Sequence, residues 1–258
     1  MDSVKMIFFD IDGTLVDPAT GRISEKTKET LTRLRDRGIL CFIATGRPPA
    51  SLPDLTGVTV DGFITVNGSL CYTGDTVIHH NPIPKAAVKK VMENATALGR
   101  PVSVAGRHRL VANGWDEDLA EYYRLAGGEL TVAEDFDAVV KQDVYQIMLG
   151  CREKDHPAII RDAEGADITF SWPRAADVIP AGSGKAEAIR RVLKYYGLET
   201  AQAMAFGDGC NDMEMLQTVG TGIAMGNADP RVKAIADTIC GPVSEEGIYR
   251  YCLEQGLI

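Results

Sequence analysis

Asp10 and Asp12 stand two residues apart, directly after the apolar run VKMIFF at residues 4–9. Side chains alternate along extended backbone, so this spacing lets both carboxylates face one side of a sheet's carboxyl edge before Gly13 turns the chain away. Carboxylates held close raise one another's pKa steeply unless a cation or a shared proton intervenes, and a divalent metal meets that need. A second acidic cluster, FGDGCND, follows another apolar run and places Asp208 after Gly207, with Asp212 four residues on at a helix start. Its donors are hard oxygens, with no His or Cys at matching spacing, which points to Mg2+ rather than zinc. One such cluster alone reads as an ordinary Asp/Asn/Gly turn; two, each at a strand end, favour the metal reading.

Groups suited to a phosphoryl oxygen complete the set. Thr45, Gly46 and Arg47 offer a hydroxyl, an accessible backbone N–H and a guanidinium, and Lys185 at a helix start adds a point cation beside a positive dipole end. The stretch AGSGKAE is not a nucleotide-binding P-loop, because Ile179 occupies the position of its first glycine and Ala186 that of its Ser/Thr.

The elements that must position these residues read as an α/β pattern. Residues 4–9 and 39–45 are strands buried on both faces, with a helix over 24–37 that Ser24 caps and Gly38 stops. Strand, helix, strand with short connections is the unit of a Rossmann-like, doubly wound parallel sheet, whose ligands bind beyond the carboxyl ends. The alternation returns with a helix over 185–196, a strand over 203–206, a helix from Asp212 to Thr218, a strand over 222–225, a helix over 228–236 and a strand over 238–240. Between these halves the pattern changes: a hairpin over 101–112, isolated strands over 144–150 and 167–172, and helices over 84–98 and 116–126. Thr45 and Lys185 are too far apart for one βαβ unit of ~30 residues, so an α+β module is inserted between the halves. The expected division is 1–81 with 181–258 as a discontinuous core and 82–180 as the insert, with proline-flanked crossings at 81–84 and 173–180 as hinges.

Composition narrows the partners. In 258 residues, 27 Lys and Arg face 36 Asp and Glu, and the net charge of -9 repels nucleic acid and anionic lipid. No apolar run approaches the ~18 residues of a membrane span, and the chain's start carries no stretch long enough for a signal peptide. Six scattered cysteines without a CxxC pair read as reduced thiols, Cys210 included, and the expected location is cytoplasmic.

DIDGT, TGR, the solitary Lys185 and GDGCND, in that order, resemble the four motifs of the haloacid dehalogenase-like hydrolase superfamily. The insert resembles its type IIB cap, and FFDIDGTLVD, IATGRP, AFGDGCNDMEML and GIAMGNA resemble the Cof-type sugar-phosphate phosphatases. That resemblance implies a Mg2+-dependent phosphoric monoester hydrolase acting on a small phosphorylated metabolite. By the same likeness Asp10 is the nucleophile and becomes an aspartyl-phosphate. Asp12 is the acid and base, its carbonyl also on the metal. Thr45 bonds the phosphoryl group, with Gly46 and Arg47 beside it, and Lys185 neutralises Asp10 and phosphate. Asp208 and Asp212 complete the metal ligands, and Asn211 touches phosphate. An acid-base residue two places after the nucleophile favours hydrolysis over dehalogenation. A phosphomutase on the same scaffold and a non-catalytic phosphate sensor are the alternatives, and a monomer or weak homo-oligomer suffices.

Other features are given plainer readings. His79-His80 reads as a solvated turn or linker, and Asn67-Gly68 as cleft wall or plain turn. Trp172 and Arg174 suit either a sugar phosphate or ordinary packing. Asp116, Glu117, Asp118 and Glu121 read as complements of a helix dipole on a solvated face.

Overall fold

Every residue of Met6–Phe9 is fully buried, which a strand achieves only with neighbours on both edges and cover on both faces. The computed structural model describes residues 4–170 and 172–258. In chain order, β1 (Met6–Phe9) leads to a short antiparallel pair, β2 (Val16–Asp17) and β3 (Arg22–Ile23), then α1 (Glu25–Asp36) and β4 (Leu40–Ala44). A meander follows: β5 (Gly62–Thr65), β6 (Leu70–Thr73) and β7 (Thr76–His80). Next come α2 (Lys85–Ala97), β8 (Val102–Ala105), β9 (Leu110–Ala112), α3 (Glu117–Leu125), α4 (Phe136–Val140), β10 (Gln146–Gly150), α5 (His156–Ile159), β11 (Ala166–Thr169) and β12 (Ala175–Pro180). The chain closes with α6 (Lys185–Tyr196), β13 (Ala203–Gly207), α7 (Met213–Thr218), β14 (Thr221–Ala224), α8 (Pro230–Ile235), β15 (Thr238–Ile239) and α9 (Gly247–Glu254).

Two compact units result. The first comprises 1–46, 53–79 and 184–258; the second comprises 47–52 and 80–183. The first is built on an eight-stranded sheet in the order β15-β14-β13-β1-β4-β5-β6-β7. Its strands from β15 to β5 are parallel, and β6 turns back antiparallel against β5. The chain winds outward from β1 through β4 and returns on the other side of β1 at β13, so β1 and β13 flank the point where strand order reverses. Phe9 pairs with Phe206 on one side and Ile43 on the other, and this register brings the residues after β1, β4 and β13 to one edge. Helix α1 begins where expected: Ser24 Oγ accepts from the Thr27 N–H at 3.1 Å and donates to Glu246 Oε2 at 2.6 Å.

The second unit is a five-stranded antiparallel sheet, β11-β12-β10-β8-β9, over an apolar core of Val88, Val91, Val104, Ile147, Leu149 and Val178. Here several expectations are corrected. The segment 173–180 is not a hinge throughout: Ala175–Pro180 is β12, hydrogen-bonded between β11 and β10 and buried at every position. The strands over 144–150 and 167–172 are neighbours of β12 rather than isolated, and Ser171 of the latter lies outside the described residues. His79 and His80 belong to β7, with the His80 ring 3.1 Å from Asp143 and edge-on to Tyr145. Asp118 is not on a solvated face: it is buried and gathers Arg100, Arg152 and Arg174, while Asp116 caps α3 by accepting from the Leu119 N–H at 2.7 Å. Trp172 stacks parallel on Tyr122, and Arg174 sits 5.0 Å over its ring.

Candidate active site

Asp10 follows β1 and is held there by its backbone N–H, which donates to Phe206 O of β13 at 3.0 Å. Lys185 opens α6 and is fully enclosed; its ammonium lies 2.6 Å from Asp10 Oδ1 and 2.6 Å from Asp212 Oδ1. Asp212 is fixed from its other side, where Oδ2 accepts from the backbone N–H groups of Asp208 and Gly209, each at 3.0 Å. Asp208 Oδ1 accepts from Thr14 Oγ1 at 2.8 Å. Asp10, Asp208 and Asp212 each bring a carboxylate oxygen within 4.8 Å of the others, the one such group among the described residues.

Two glycines make this crowding possible. Gly13 turns the chain with φ +88°, and a Cβ there would stand 2.2 Å from Asp208 Oδ2. A Cβ on Gly207 would stand 2.7 Å from the Asp212 side chain.

The electrostatics follow from burial. Burial raises the Asp10 carboxyl well above the ordinary range, Asp212 adds to the rise, and Lys185 opposes it. Burial likewise pushes Asp208 up to about 6, with Asp212 and Asp12 adding to it and Thr14 opposing. For Lys185, burial works downward, but Asp10 and Asp212 overcome it and hold the ammonium above its usual range. Three carboxylates against one ammonium leave two negative charges when all are ionised, and the donors are hard oxygens. This set fits a divalent hard cation.

Asp12 departs from the alternation expected of it. β1 ends at Phe9, and the Ile11 carbonyl then accepts from the N–H groups of Thr14, Leu15 and Val16, so the chain turns instead of continuing extended. The Asp12 side chain is exposed and is not one of the carboxylate trio, although it acts electrostatically on Asp208. Thr45 is buried after β4; its N–H donates to Ile64 O at 2.8 Å, and its carbonyl accepts from the Asn67 N–H at 3.1 Å. Gly46 lies against the Asn67 side chain, and Asn211 Nδ2 reaches Asn67 Oδ1 at 3.4 Å. Arg47 begins the short segment 47–52 that groups with the second unit, where its Nη1 donates to Ser51 O at 3.0 Å.

A family model described as haloacid dehalogenase-like hydrolase matches residues 7–252. The chain belongs to that family. A Bacillus subtilis (strain 168) protein, YkrA, a phosphatase by name, is 34% identical over 100% of both chains. An HMP-PP phosphatase of Citrobacter koseri is 31% identical over 89% of this chain and 87% of its own. The solved structure of BT4131, described as a HAD subclass IIB sugar phosphatase, superposes with a TM-score of 0.88 at 32% identity, over 99% of this chain and 100% of that one. This hydrolase is therefore an enzyme of the phosphoric monoester class, in line with its phosphatase-named relatives, and the Cof-type resemblance of its motifs stands.

Three polar residues of this hydrolase's site make contacts that a motif reading does not give. Thr14 bonds Asp208. Asn227 donates from Nδ2 to Gly13 O at 2.8 Å and accepts the Val243 N–H at 2.9 Å, pinning the turn after Asp10. Asn67 ties the Thr45-Gly46 turn to Asn211, and the chain there is strained, with Val66 at φ +51° and Asn67 at φ +50°. A β-branched residue with positive φ is rare and persists only where its surroundings over-determine it. The sequence signals for these were present, a Thr within DIDGT and an Asn-Gly pair after a strand, but local spacing did not reveal their partners.

Proposed function

We propose that this hydrolase is a Mg2+-dependent phosphatase of small phosphorylated metabolites, sugar phosphates foremost, working through an aspartyl-phosphate on Asp10. The observation that carries the reading is the Lys185 ammonium held 2.6 Å from both Asp10 Oδ1 and Asp212 Oδ1. Asp10 attacks phosphorus in line and its carboxylate oxygen forms the new P–O bond as the ester oxygen leaves. Asp12, exposed and outside the trio, gives that oxygen a proton and then takes one from the water that opens the acyl phosphate. Lys185 balances charge on Asp10 and the transferring oxygens, while Thr45, Gly46, Arg47 and Asn211 donate to those oxygens. Asp10, Asp208, Asp212 and the backbone carbonyl of Asp12 are the groups that would hold Mg2+, which supplies charge neutralisation at the phosphoryl group when bound.

In the same reading 1–81 and 181–258 form the catalytic core, and 82–180 form the cap that selects the leaving group. The sugar phosphatase and HMP-PP phosphatase relatives support a small phosphorylated substrate. The net charge of -9 supports a small-molecule partner rather than nucleic acid or an anionic membrane. The free thiols support a cytoplasmic location, and a monomer suffices for the chemistry.

The test is phosphate release from a panel of phosphorylated sugars, nucleotides, flavin precursors and pyridoxal phosphate, ranked by kcat/KM. Sugar phosphates should lead, EDTA should silence the enzyme, Mg2+ should restore it, and Asp10→Asn should be inert. Turnover by Asp10→Asn at a rate near wild type would overturn the nucleophile, and phosphate returned to sugar only with a bisphosphate present would make the enzyme a mutase.

A further inference from the structure

The second unit contains a cavity of about 350 Å3 lined by Leu98, Arg100, Cys151, Arg152, Lys154 and Asp155. These residues follow α2 and β10, so the cavity sits at one end of the five-stranded sheet. The chain crossings are at the other end, where Asn81 Nδ2 donates to Ser183 Oγ at 2.9 Å. Three cations line it against one carboxylate, and that carboxylate is already engaged, Asp155 Oδ2 accepting from the Arg152 N–H at 3.1 Å.

The arginines are anchored from behind. Asp118 takes Arg152 Nη1 at 2.9 Å, Arg174 Nε at 2.8 Å and Arg100 Nη1 at 3.5 Å, and Arg100 Nη1 also reaches Asp116 at 3.2 Å. A guanidinium carries five N–H donors, and each of these anchors engages Arg100 and Arg152 through one nitrogen. Among the described residues Lys154 has no ion-pair or hydrogen-bond partner. Three arginines gathered on two carboxylates, Asp118 and the capping Asp116, with Lys154 close by in sequence, leave an excess of positive charge, and an entering oxyanion offsets it while using the spare donors. Leu98 and buried Cys151 give the cavity an apolar side against which an organic group could rest.

We propose that this cavity is a second anion site, separate from the carboxylate trio, that binds a phosphoryl dianion: inorganic phosphate, or the phosphate group of a small metabolite. Arg100 and Arg152 present their forks to it and Lys154 closes on it as a point charge.

The experiment follows backbone amide resonances of full-length Asp10→Asn protein, which does not turn over, during titration with inorganic phosphate and separately with glucose 6-phosphate. The amides of 151–155 should shift saturably. Lys154→Glu should weaken that response by about tenfold or more while the response of 208–212 and the rest of the spectrum stay unchanged. Tighter binding of glucose 6-phosphate assigns the site to a metabolite, and equal or tighter binding of inorganic phosphate assigns it to phosphate itself. Silence at 151–155 while 208–212 saturate overturns the proposal, as does an unweakened response in Lys154→Glu. Should the reversal disturb the spectrum of the second unit, neutral Lys154→Met carries the same test, with a smaller loss expected.

Discussion

Lys185 is the residue on which the site's charge balance turns, because a single ammonium enclosed by two carboxylates both neutralises them and fixes where they point. Replacing it with Met leaves buried carboxylates uncompensated, which they answer by taking up protons. Lys185→Met should therefore lose phosphate release by several orders of magnitude, and an Asp10 that stayed a competent nucleophile in this variant would contradict the assignment. Asn67 separates positioning from folding. Its left-handed backbone suits Asn or Gly but not Ala, whereas its side chain alone reaches Asn211. Asn67→Gly should keep the thermal midpoint near wild type while lowering kcat roughly ten- to a hundredfold through loosened phosphate loops. Asn67→Ala should lose the same rate and also about 1 kcal/mol of stability. Equal kcat in Asn67→Gly and wild type would leave the residue a structural turn only.

At the scale of elements, the site depends on three loops crossing one sheet edge at distances that leave no room for a methyl group. Gly13→Ala must resolve both a positive φ and a Cβ 2.2 Å from Asp208 Oδ2, so Asp208 is displaced and Mg2+-dependent activity should fall by at least about a hundredfold. Added Mg2+ should recover part of that loss if displacement is its cause, and an unchanged Mg2+ dependence would speak against it. The same elements explain what could be read without coordinates. Continuous apolar strands and a helix running from Lys185 to Tyr196 depend on local pattern alone, and α6 has the bounds its sequence suggests. The closeness of the three carboxylates was legible because each Asp follows such a strand or opens a helix. β12 was hidden because Pro173 precedes it, Pro180 is its last residue and its interior carries a buried charge, Asp177, against expectation for a strand. Asp118 was hidden because its three arginines come from β8, β10 and β12 approaches that only the sheet order brings together. The turn at Asp12 was hidden because alternation applies only while β1 lasts, and β1 ends at Phe9.

At the scale of the whole molecule, acid acts on the proposed cation binding of the first unit and on the folding of the second. Burial pushes the Asp208 carboxyl up to about 6 in the first unit. On the proposed Mg2+ reading protons compete with the cation as pH falls through that value, and any rise in thermal midpoint on adding Mg2+ should shrink from about pH 7 to about pH 5. In the second unit burial pushes Asp177 up to about 6, more than its polar neighbours Gln146 and Tyr122 offset. A raised carboxyl binds its proton more tightly in the folded chain, so its stabilising contribution is present below the unfolded value of about 4 and is lost as pH rises through about 6. At neutral pH the ionised form is destabilising by on the order of 2–3 kcal/mol relative to that acid limit. Asp177 Oδ1 and Gln146 Oε1 are also buried acceptors with no donor among the described residues. Asp177→Asn keeps the shape, lets Tyr122 Oη still donate, and supplies an amide donor in place of a charge. It should raise the midpoint of the second unit at about pH 7.5, flatten its acid dependence, and leave the Mg2+-linked shift of the first unit untouched, because the two groups share no partner. Denaturation followed by amide exchange in each unit, with and without Mg2+ across this pH range, separates the two effects. A variant no more stable than wild type at neutral pH would mean that the buried carboxyl is not what limits the second unit.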